Sequence, residues 1–244
     1  MLNIRYCFLV ELSIIIPTLN EEKYIKSTLE SLKYQTSMYD EILIVDSFSE
    51  DKTVEISKSY GAKVCQIPRS GIGPAKTYGA TKASNNILAF LDADRVPSKD
   101  WVDKIKLHFL ECAIDSVGGV DLYSSSSFTN SLVYNIYSFL VFLTGIIYYR
   151  LTGFPWMPWN NCAIRKDVFL EKGGLKDLVC EDYDFAQRAR GIKTIYDSGI
   201  RVTLSDRRFR EAGFLKTVWL WMKSDLAILS KNKVNESSKY QVVR

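Results

Sequence analysis

Short apolar runs alternate with longer amphipathic stretches over the first part of the chain. The runs predict four buried strands. The stretches between them predict three helices, the first capped by Asn20 and the second by Ser49. This alternation is typical of a doubly wound α/β sheet with parallel strands and right-handed crossovers. The predicted strands are residues 12–16, 41–45, 63–67 and 87–91, and the helices are 21–33, 50–58 and 74–83.

The second part of the chain has a less regular pattern, which predicts a mixed half with a C-terminal amphipathic helix. Residues 205–210 are predicted to form a basic loop, and residues 231–244 a polar tail. No internal repeat or linker interrupts the pattern, so we expect a single domain over residues 1–230. The predicted strands are 117–123, 160–164, 193–196 and 201–204, and the helices are 101–112, 166–172, 180–190 and 211–229.

Residues 132–149 are apolar and aromatic, with polar interruptions at Asn135, Ser138 and Thr144. At about 18 residues the segment reaches only the lower limit for a membrane span, and polar atoms are costly in hydrocarbon. Its aromatic side chains suit a membrane interface. The pattern favours a helix that lies at an interface or is buried in the protein, and a true span is the alternative.

The composition limits the possible function classes. The 244 residues are 47% hydrophobic and 25% charged, which is enough for one large folded domain, and the net charge of +4 does not indicate a nucleic-acid partner. The five cysteines are dispersed, which favours a reducing compartment over a disulfide framework. With His108 as the only histidine, a histidine-rich metal site is excluded and a Ser-His-Asp hydrolase is disfavoured. Residues 1–10 lack the features of a signal peptide.

Polar residues follow the predicted strands at the edge where open α/β sheets bind ligands. Asp92 and Asp94 follow strand 87–91, and in extended backbone they would point the same way and could bind a hard divalent cation. The alternative is a solvated acidic turn closed by Pro97. The chain has neither a GxGxxG after its first strand nor a GxxxxGK[ST], which disfavours nicotinamide and P-loop sites. The other candidates at strand ends are Pro17, Thr18, Asn20, Glu21, Asp46, Ser47 and Lys76.

Three further segments each allow more than one interpretation. Glu181 and Asp182 begin a predicted helix, where they could act chemically or only stabilise the helix terminus. Arg207 and Arg208 could bind phosphate or form a solvated turn. The aromatic loop 152–159 could stack on a sugar, enter lipid or pack over the domain edge.

Taken in order, these segments resemble the family 2 glycosyltransferases with the GT-A fold, including dolichyl-phosphate-mannose-synthase-like enzymes. The resemblance covers roughly residues 12–220. The segments that carry it are Ser13-Ile14-Ile15-Ile16-Pro17-Thr18-Leu19-Asn20-Glu21, Ile44-Val45-Asp46-Ser47-Phe48-Ser49-Glu50-Asp51, Gly73-Pro74-Ala75-Lys76, Phe90-Leu91-Asp92-Ala93-Asp94, Asn161-Cys162-Ala163-Ile164-Arg165, Gly173-Gly174 with Glu181-Asp182, and Ser205-Asp206-Arg207-Arg208-Phe209.

The resemblance implies a nucleoside-diphosphate sugar, such as a UDP- or GDP-sugar, as donor. Residues 12–97 would form the nucleotide-sugar half and residues 98–230 the acceptor half. Asp92-Ala93-Asp94 matches the family's DxD motif, in which Mg²⁺ or Mn²⁺ bridges the two phosphates. Lys76 would lie near the nucleotide. The nucleoside would be held by Pro17, Thr18, Asn20, Glu21, Asp46 and Ser47, with Asp46 accepting a hydrogen bond from the base.

On the acceptor side, the resemblance implies that Asp182 is the base of an inverting transfer, with Glu181 as the alternative. Arg207 and Arg208 would contact the diphosphate or a lipid phosphate, and Asn161 and Trp159 would lie near the acceptor. The Gln-x-x-Arg-Trp motif of processive synthases is absent, so we expect transfer of a single sugar. The alternatives are a nucleotidyltransferase and a non-catalytic sugar-nucleotide-binding protein.

We expect a lipid-linked, glycan or other membrane-bound acceptor. The protein would then be cytoplasmic and peripheral at the cytoplasmic face of the cell membrane, with residues 132–149 in contact with the lipid.

Overall fold

A computed structural model describes residues 10–178 and 181–229. The predicted tail 231–244 lies outside this part of the chain. The strands are β1 Leu12–Thr18, β2 Glu41–Asp46, β3 Lys63–Gln66, β4 Ile87–Leu91, β5 Arg95–Pro97, β6 Ser116–Ser124, β7 Asn161–Arg165 and β8 Thr194–Ser205. The helices are α1 Ile25–Lys33, α2 Thr53–Ser59, α3 Ile72–Lys82, α4 Trp101–Phe109, α5 Phe128–Thr152, α6 Lys166–Glu171, α7 Glu181–Arg188, α8 Arg207–Ala212 and α9 Phe214–Leu229.

The described strands form one eight-stranded sheet in the order β3-β2-β1-β4-β7-β6-β8-β5. The first four strands run parallel to one another, as the alternating pattern predicts. Beyond them, β7 is antiparallel to both β4 and β6, and β5 is antiparallel to β8. The predicted α/β architecture, with a parallel first half and a mixed second half, is confirmed.

The parallel strands β1, β2 and β4 are mostly apolar because helices cover both faces of the sheet, whereas β3, at the end of the sheet, is partly exposed. Ile14 and Ile16 of β1 belong to the hydrophobic cluster on one face, and Ile15 belongs to the cluster on the other. Gly79 lets α3 approach the second face closely, since an added Cβ would lie 2.6 Å from Cγ2 of Ile15. This packing fixes the strand ends, and therefore the loops that follow them.

Helices α1 and α2 begin later in the chain than predicted. Asn20 has a left-handed backbone (φ 56°), and its Oδ1 accepts a hydrogen bond from the Glu50 amide. Ser49 donates its hydroxyl to Asp46. Because both side chains bond within or between loops, they do not cap helices, and α1 and α2 begin at Ile25 and Thr53.

Three features of the chain beyond β4 differ from the prediction made from the sequence. The two strands predicted at 193–196 and 201–204 are one strand, β8, whose pairing with β6 shifts register between Gly118 and Val120. The predicted basic loop is helical from Arg207, as α8, and Gly213 (φ 86°) separates it from α9. The short strand β5 was not predicted, because a strand of three residues is too short to show an alternating pattern.

Helix α5 is longer than the predicted 132–149 and exposes most of its apolar surface. It is capped by Ser127, ends at the left-handed Gly153, and is the one helix in the described ranges that is long and apolar enough to cross a membrane. Only 17% of its most apolar window is buried, so α5 is not a core helix. Two of its polar interruptions bind β6: Asn135 hydrogen-bonds the Tyr123 backbone, and Ser138 donates to the Asp121 carbonyl.

Candidate active site

A cavity of about 560 Å³ lies where the two halves of the sheet meet. Its lining joins the turn after β4 and the helix α3 to β6, α5, α7 and α8. The structure therefore brings together most of the predicted charged residues from distant parts of the sequence. Those that line the cavity are Lys76, Asp92, Asp94, Glu181, Asp182, Arg207 and Arg208.

Asp46 connects the loops after β1 and β2. Its Oδ1 accepts from the hydroxyls of Thr18 and Ser49, and its Oδ2 accepts from the Ser49 amide and, at 3.3 Å, from Gln66. The carboxylate is fully buried, so these four donors use its acceptor capacity. The predicted hydrogen bond from a nucleobase would have to replace one of them.

The remaining residues of the first loops lie beside this connection. Asn20 and Glu21 line a second, more polar cavity, which shares Arg207 with the first. The Glu21 amide donates to the Thr53 hydroxyl at 2.7 Å, which fixes the loop against α2. Pro17, Thr18 and Ser47 stand at the carboxyl ends of β1 and β2, the edge predicted to hold a nucleoside.

Asp92 and Asp94 line the same cavity, although their backbone is not extended as predicted. Ala93 and Asp94 form a turn between β4 and β5. The Lys76 ammonium is buried, lies 2.8 Å from Asp92 Oδ1 and donates to the Trp159 carbonyl at 2.7 Å. Burial alone would raise the pKa of Asp92, but the charge of Lys76 and then that of Arg95 outweigh it and lower this pKa. Asp92 is therefore held as a carboxylate.

Asp94 is paired with two arginines. Arg207 Nη2 lies 2.8 Å from its Oδ2, and Arg95 Nε lies 3.4 Å from its Oδ1. Arg95 also reaches Asp121 Oδ2 at 3.3 Å, so one guanidinium joins the turn to β6. Burial opposes the charge of Arg95, but Asp121 and Asp94 outweigh burial and raise its pKa. Tyr24 packs under Arg207, whose guanidinium lies 4.2 Å from the ring centre.

Arg95 and Asp121 are site residues that the sequence reasoning missed. Arg95 directly follows Asp94, and its position beside a predicted metal ligand could have indicated that it belongs to the site. Asp121 is an isolated acid within the predicted strand 117–123, and an ionisable residue in a buried strand is itself a signal of function. Burial raises the pKa of Asp121 despite the opposing charge of Arg95.

Glu181 and Asp182 open α7 and face the cavity together. The indole Nε1 of Trp156 donates to Asp182 Oδ2 at 2.8 Å, and the Tyr183 amide donates to Oδ1. Burial raises the pKa of Asp182, and the Trp156 hydrogen bond opposes that shift. Burial and the neighbouring Asp182 charge raise the pKa of Glu181 to about 7. A carboxylate pair in this state suits proton transfer near neutral pH.

Two residues predicted near the acceptor, Asn161 and Trp159, make contacts within the protein. Asn161 is fully buried, accepts from Trp101 Nε1 and donates to the carbonyls of Val120 and Ile200. It anchors β7 to its neighbours, whereas Asn160 is the residue that lines the cavity. Trp159 lines the cavity from within an aromatic cluster with Phe90, Phe169 and Phe185.

Five buried polar atoms of the cavity lining have no hydrogen-bond partner among the described residues. Two of them, Asp92 Oδ1 and Arg95 Nε, lie in the ion pairs given above. The other three are Asp121 Oδ1, Asn160 Oδ1 and Trp159 Nε1. Buried polar groups are nearly always paired, and an unpaired one costs about 1–3 kcal/mol. Together with the cations around Asp92 and Asp94, these atoms give the cavity the character of a polar ligand site.

Known proteins are similar to this chain in sequence and in fold. The family described as Glycosyl transferase family 2 matches residues 13–172. An uncharacterized glycosyltransferase of Rickettsia bellii is 37% identical over 99 residues, which cover 41% of this chain and 33% of that protein. The chain spans about a third of the length of the first curated relatives it matches.

Two solved structures have similar folds at low sequence identity. S. aureus TarS 1-349 in complex with UDP-GlcNAc has a TM-score of 0.62 and 20% identity, with coverage of 81% of this chain and 59% of that one. The mannosyltransferase PcManGT from Pyrobaculum calidifontis in complex with GDP-Man and Mn2+ has a TM-score of 0.65 and 17% identity, with coverage of 91% and 67%. Both have the GT-A fold, which confirms the fold expected from the resemblance. The family match extends over most of the nucleotide-side sheet and through β7, and the chain therefore belongs to glycosyl transferase family 2.

Proposed function

We propose that this protein is a metal-dependent, inverting glycosyltransferase that moves one sugar from a nucleoside-diphosphate sugar to a membrane-borne acceptor. The observation that carries the proposal is the arrangement of one cavity. Asp92 and Asp94 lie among cations at one place, and Asp182, with its raised pKa, lies at another. The first set suits a diphosphate, and the second suits removal of a proton.

The donor end fits a divalent ion bound together with the substrate. Within residues 10–178 and 181–229, no three acidic, histidine or cysteine side chains are grouped to hold a metal by themselves. Mg²⁺ is commonly held by one or two carboxylates plus substrate phosphates, and Asp92 and Asp94 would supply two carboxylates. When bound, Mg²⁺ or Mn²⁺ would offset the charge of the diphosphate leaving group. PcManGT was solved with GDP-Man and Mn2+, which supports the same ligand class here.

The chain's own cations would act on the diphosphate. Arg207 now pairs with Asp94 at 2.8 Å, and both it and Arg208 line the cavity. If Asp94 were engaged as a metal ligand, the Arg207 guanidinium could bind phosphate oxygens in its place. Lys76, held between Asp92 and the Trp159 carbonyl, would add a fixed positive charge. The loop Pro17–Glu21 would hold the nucleoside.

Asp182 is the proposed base. The acceptor hydroxyl oxygen forms a bond to the anomeric carbon as the bond from that carbon to the diphosphate oxygen breaks, and the bonding pair leaves with the diphosphate. The hydroxyl proton moves to Asp182, whose carboxylate Trp156 orients. A single displacement inverts the anomeric configuration. Glu181 is the alternative base.

The membrane part of the proposal rests on α5 and α9. Exposed apolar side chains run along α5, and Trp219 of α9 is also exposed. Because Asn135 and Ser138 fasten α5 to β6, a span would draw the sheet into hydrocarbon. We therefore propose that α5 lies in the interface of the cytoplasmic membrane face. The exposed apolar residues of α5 are Phe128, Leu132, Val133, Ile136, Phe139, Leu140, Val141, Leu143, Ile147 and Leu151.

Thermal shift with UDP-, GDP- and dTDP-sugars, with and without Mn²⁺, tests the donor end. One nucleotide sugar should raise the melting temperature in a Mn²⁺-dependent way, because a ligand bound only to the folded state stabilises it. The double variant Asp92→Asn, Asp94→Asn should lose the Mn²⁺-dependent part. Asp182→Asn should bind the donor but lose at least tenfold in the rate of nucleoside-diphosphate release, since general-base catalysis contributes about 10²–10⁴-fold.

The outcomes separate the rivals. Release of pyrophosphate from a nucleoside triphosphate would indicate a nucleotidyltransferase. Donor binding without turnover under any condition would indicate a sugar-nucleotide-binding protein. Turnover that persists unchanged in the double variant would remove the metal from the mechanism.

A further inference from the structure

Beside the charged residues, the lining of the cavity includes apolar residues of α5, the aromatic loop and β8, and we call this part of the cavity the apolar arm. The polar end of the cavity contains the residues described above. The arm is formed on one side by α5 and on the other by the aromatic loop and β8, with Phe142 and Tyr196 in edge-to-face contact at 6.1 Å. The residues that line the arm are Tyr137, Val141, Phe142, Gly145, Met157 and Tyr196. The proposed donor chemistry uses none of them.

Trp156 connects this apolar arm directly to the proposed base. Its indole donates to Asp182, while its backbone carbonyl accepts from the Tyr196 hydroxyl at 2.8 Å. A Cβ added at Gly145 would lie 3.3 Å from that carbonyl and 3.4 Å from the Tyr196 ring, so α5 packs closely against the loop here. A molecule lying in the apolar arm would therefore have one end near Asp182.

The boundary between the two ends of the cavity is acidic. Asp121 lies at that boundary, because Ser138 of α5 donates to its carbonyl and its Oδ2 contacts Arg95. Oδ1 of Asp121 has no hydrogen-bond partner among the described residues. With acceptor oxygens of Asp121 and Asp182 both nearby, a hydroxyl group, which can donate a hydrogen bond, is better suited to this position than a phosphate, whose oxygens only accept.

We propose that the apolar arm binds the hydrocarbon body of the acceptor, and that the acceptor is a lipid alcohol whose hydroxyl is attached directly to its apolar part. This inference rests on the proposed sugar transfer and narrows its acceptor class. It selects against a glycan carried on a lipid, since a glycan would place polar groups against Val141, Phe142 and Met157. The exposed outer face of α5 would rest on the bilayer that supplies such an alcohol.

Simple alcohols test the apolar arm without a membrane. The n-alkanols from butanol to dodecanol are offered with the nucleotide sugar and Mn²⁺ selected by thermal shift, and alkyl glycoside is measured by mass spectrometry. We expect kcat/KM to rise about fourfold for each added methylene, the factor that corresponds to burying one such group, and to level off when the arm is filled.

Substitutions in the apolar arm should change this series in opposite directions. Val141→Trp should end the rise at shorter alcohols, and Phe142→Ala should extend it to longer ones. Leu140→Trp, the same substitution at a neighbouring position that does not line the cavity, should keep the wild-type series. Circular dichroism melting identifies any variant that fails to fold. If Val141→Trp fails to fold, the extension of the rise to longer alcohols in Phe142→Ala tests the proposal by itself.

A flat alcohol series in the wild-type protein, with faster transfer to soluble oligosaccharides, would overturn the inference and leave the proposed transferase activity intact. A series that rises equally in all three variants would also overturn it. Absence of donor turnover to alcohols, oligosaccharides and water alike would overturn the proposed function and this inference with it.

Discussion

Glu181 gives the candidate site a measurable effect on stability that needs no substrate. Its pKa is raised from 4.5 to about 7, first by burial and then by the charge of Asp182. Between these two pH values the folded protein keeps a proton that the unfolded chain has released. Raising the pH through this range therefore lowers the free energy of unfolding, because the folded state binds more protons.

The size of the effect follows from the two pKa values. One pKa unit is worth about 1.4 kcal/mol, so the gap between 4.5 and about 7 amounts to about 3 kcal/mol once the pH exceeds both. Glu181→Gln removes the ionisation and keeps nearly the same shape. We expect this variant to match the wild type near pH 4.5 and to be about 3 kcal/mol more stable at pH 8.

Urea denaturation of the metal-free protein across this pH range is the assay. The control is Glu55→Gln, an exposed position on α2, where we expect a change below about 0.5 kcal/mol at every pH. Asp182→Asn should reduce the pH dependence as well, because it removes the second cause of the Glu181 shift. If Glu181→Gln and the wild type keep a constant difference across the range, Glu181 is not held protonated and the reasoning fails.

Two further predictions concern the base and the membrane. Trp156→Phe removes the hydrogen bond that lowers the pKa of Asp182. The acid side of the pH profile of kcat/KM should therefore move to higher pH by about one to two units. An unchanged pH profile would show that Trp156 does not position the base. The protein should float with liposomes at physiological salt, and Ile136→Asp with Leu140→Asp should lower its partitioning more than tenfold, because both exposed apolar side chains lose their burial in lipid. Full solubility of the wild type in the same gradient would count against membrane contact.

The parallel half of the fold could be predicted because its signals are local. Strands β1, β2 and β4 each contain an unbroken apolar run, and polar residues follow each run at the same edge; the runs are residues 14–16, 42–45 and 87–91. The helix starts were less predictable. Asn20 and Ser49 have the side chains of helix caps, but they bond across loops whose proximity depends on the pairing of β1 with β2. Such contacts are set by tertiary structure and leave no local pattern.

The site was predictable in its residue types and not in its contacts. The Asp92-Ala93-Asp94 motif indicated one part of the candidate site, but no sequence pattern shows that Arg207 pairs with Asp94 across 113 positions. Likewise, the aromatic loop was expected to bind a ligand or pack over an edge. In the structure Trp159 packs in the core and Trp156 donates a hydrogen bond to Asp182, whereas contact of the loop with a sugar or lipid stays a prediction. A periodic pattern identifies a buried face, but it does not identify the neighbour of an individual indole.

Helix α5 shows why the two proposals about the acceptor depend on one element. In the sequence, Asn135 and Ser138 counted against a membrane span. In the structure these residues, three positions apart, lie on one face and bind the edge of β6 beside Asp121. That attachment leaves the opposite face apolar and exposed, and it places Phe142 and Gly145, one and two turns further along the same helix, in the lining of the apolar arm. A helix held in this way would contact the bilayer with its outer face and cover the acceptor arm with its inner face.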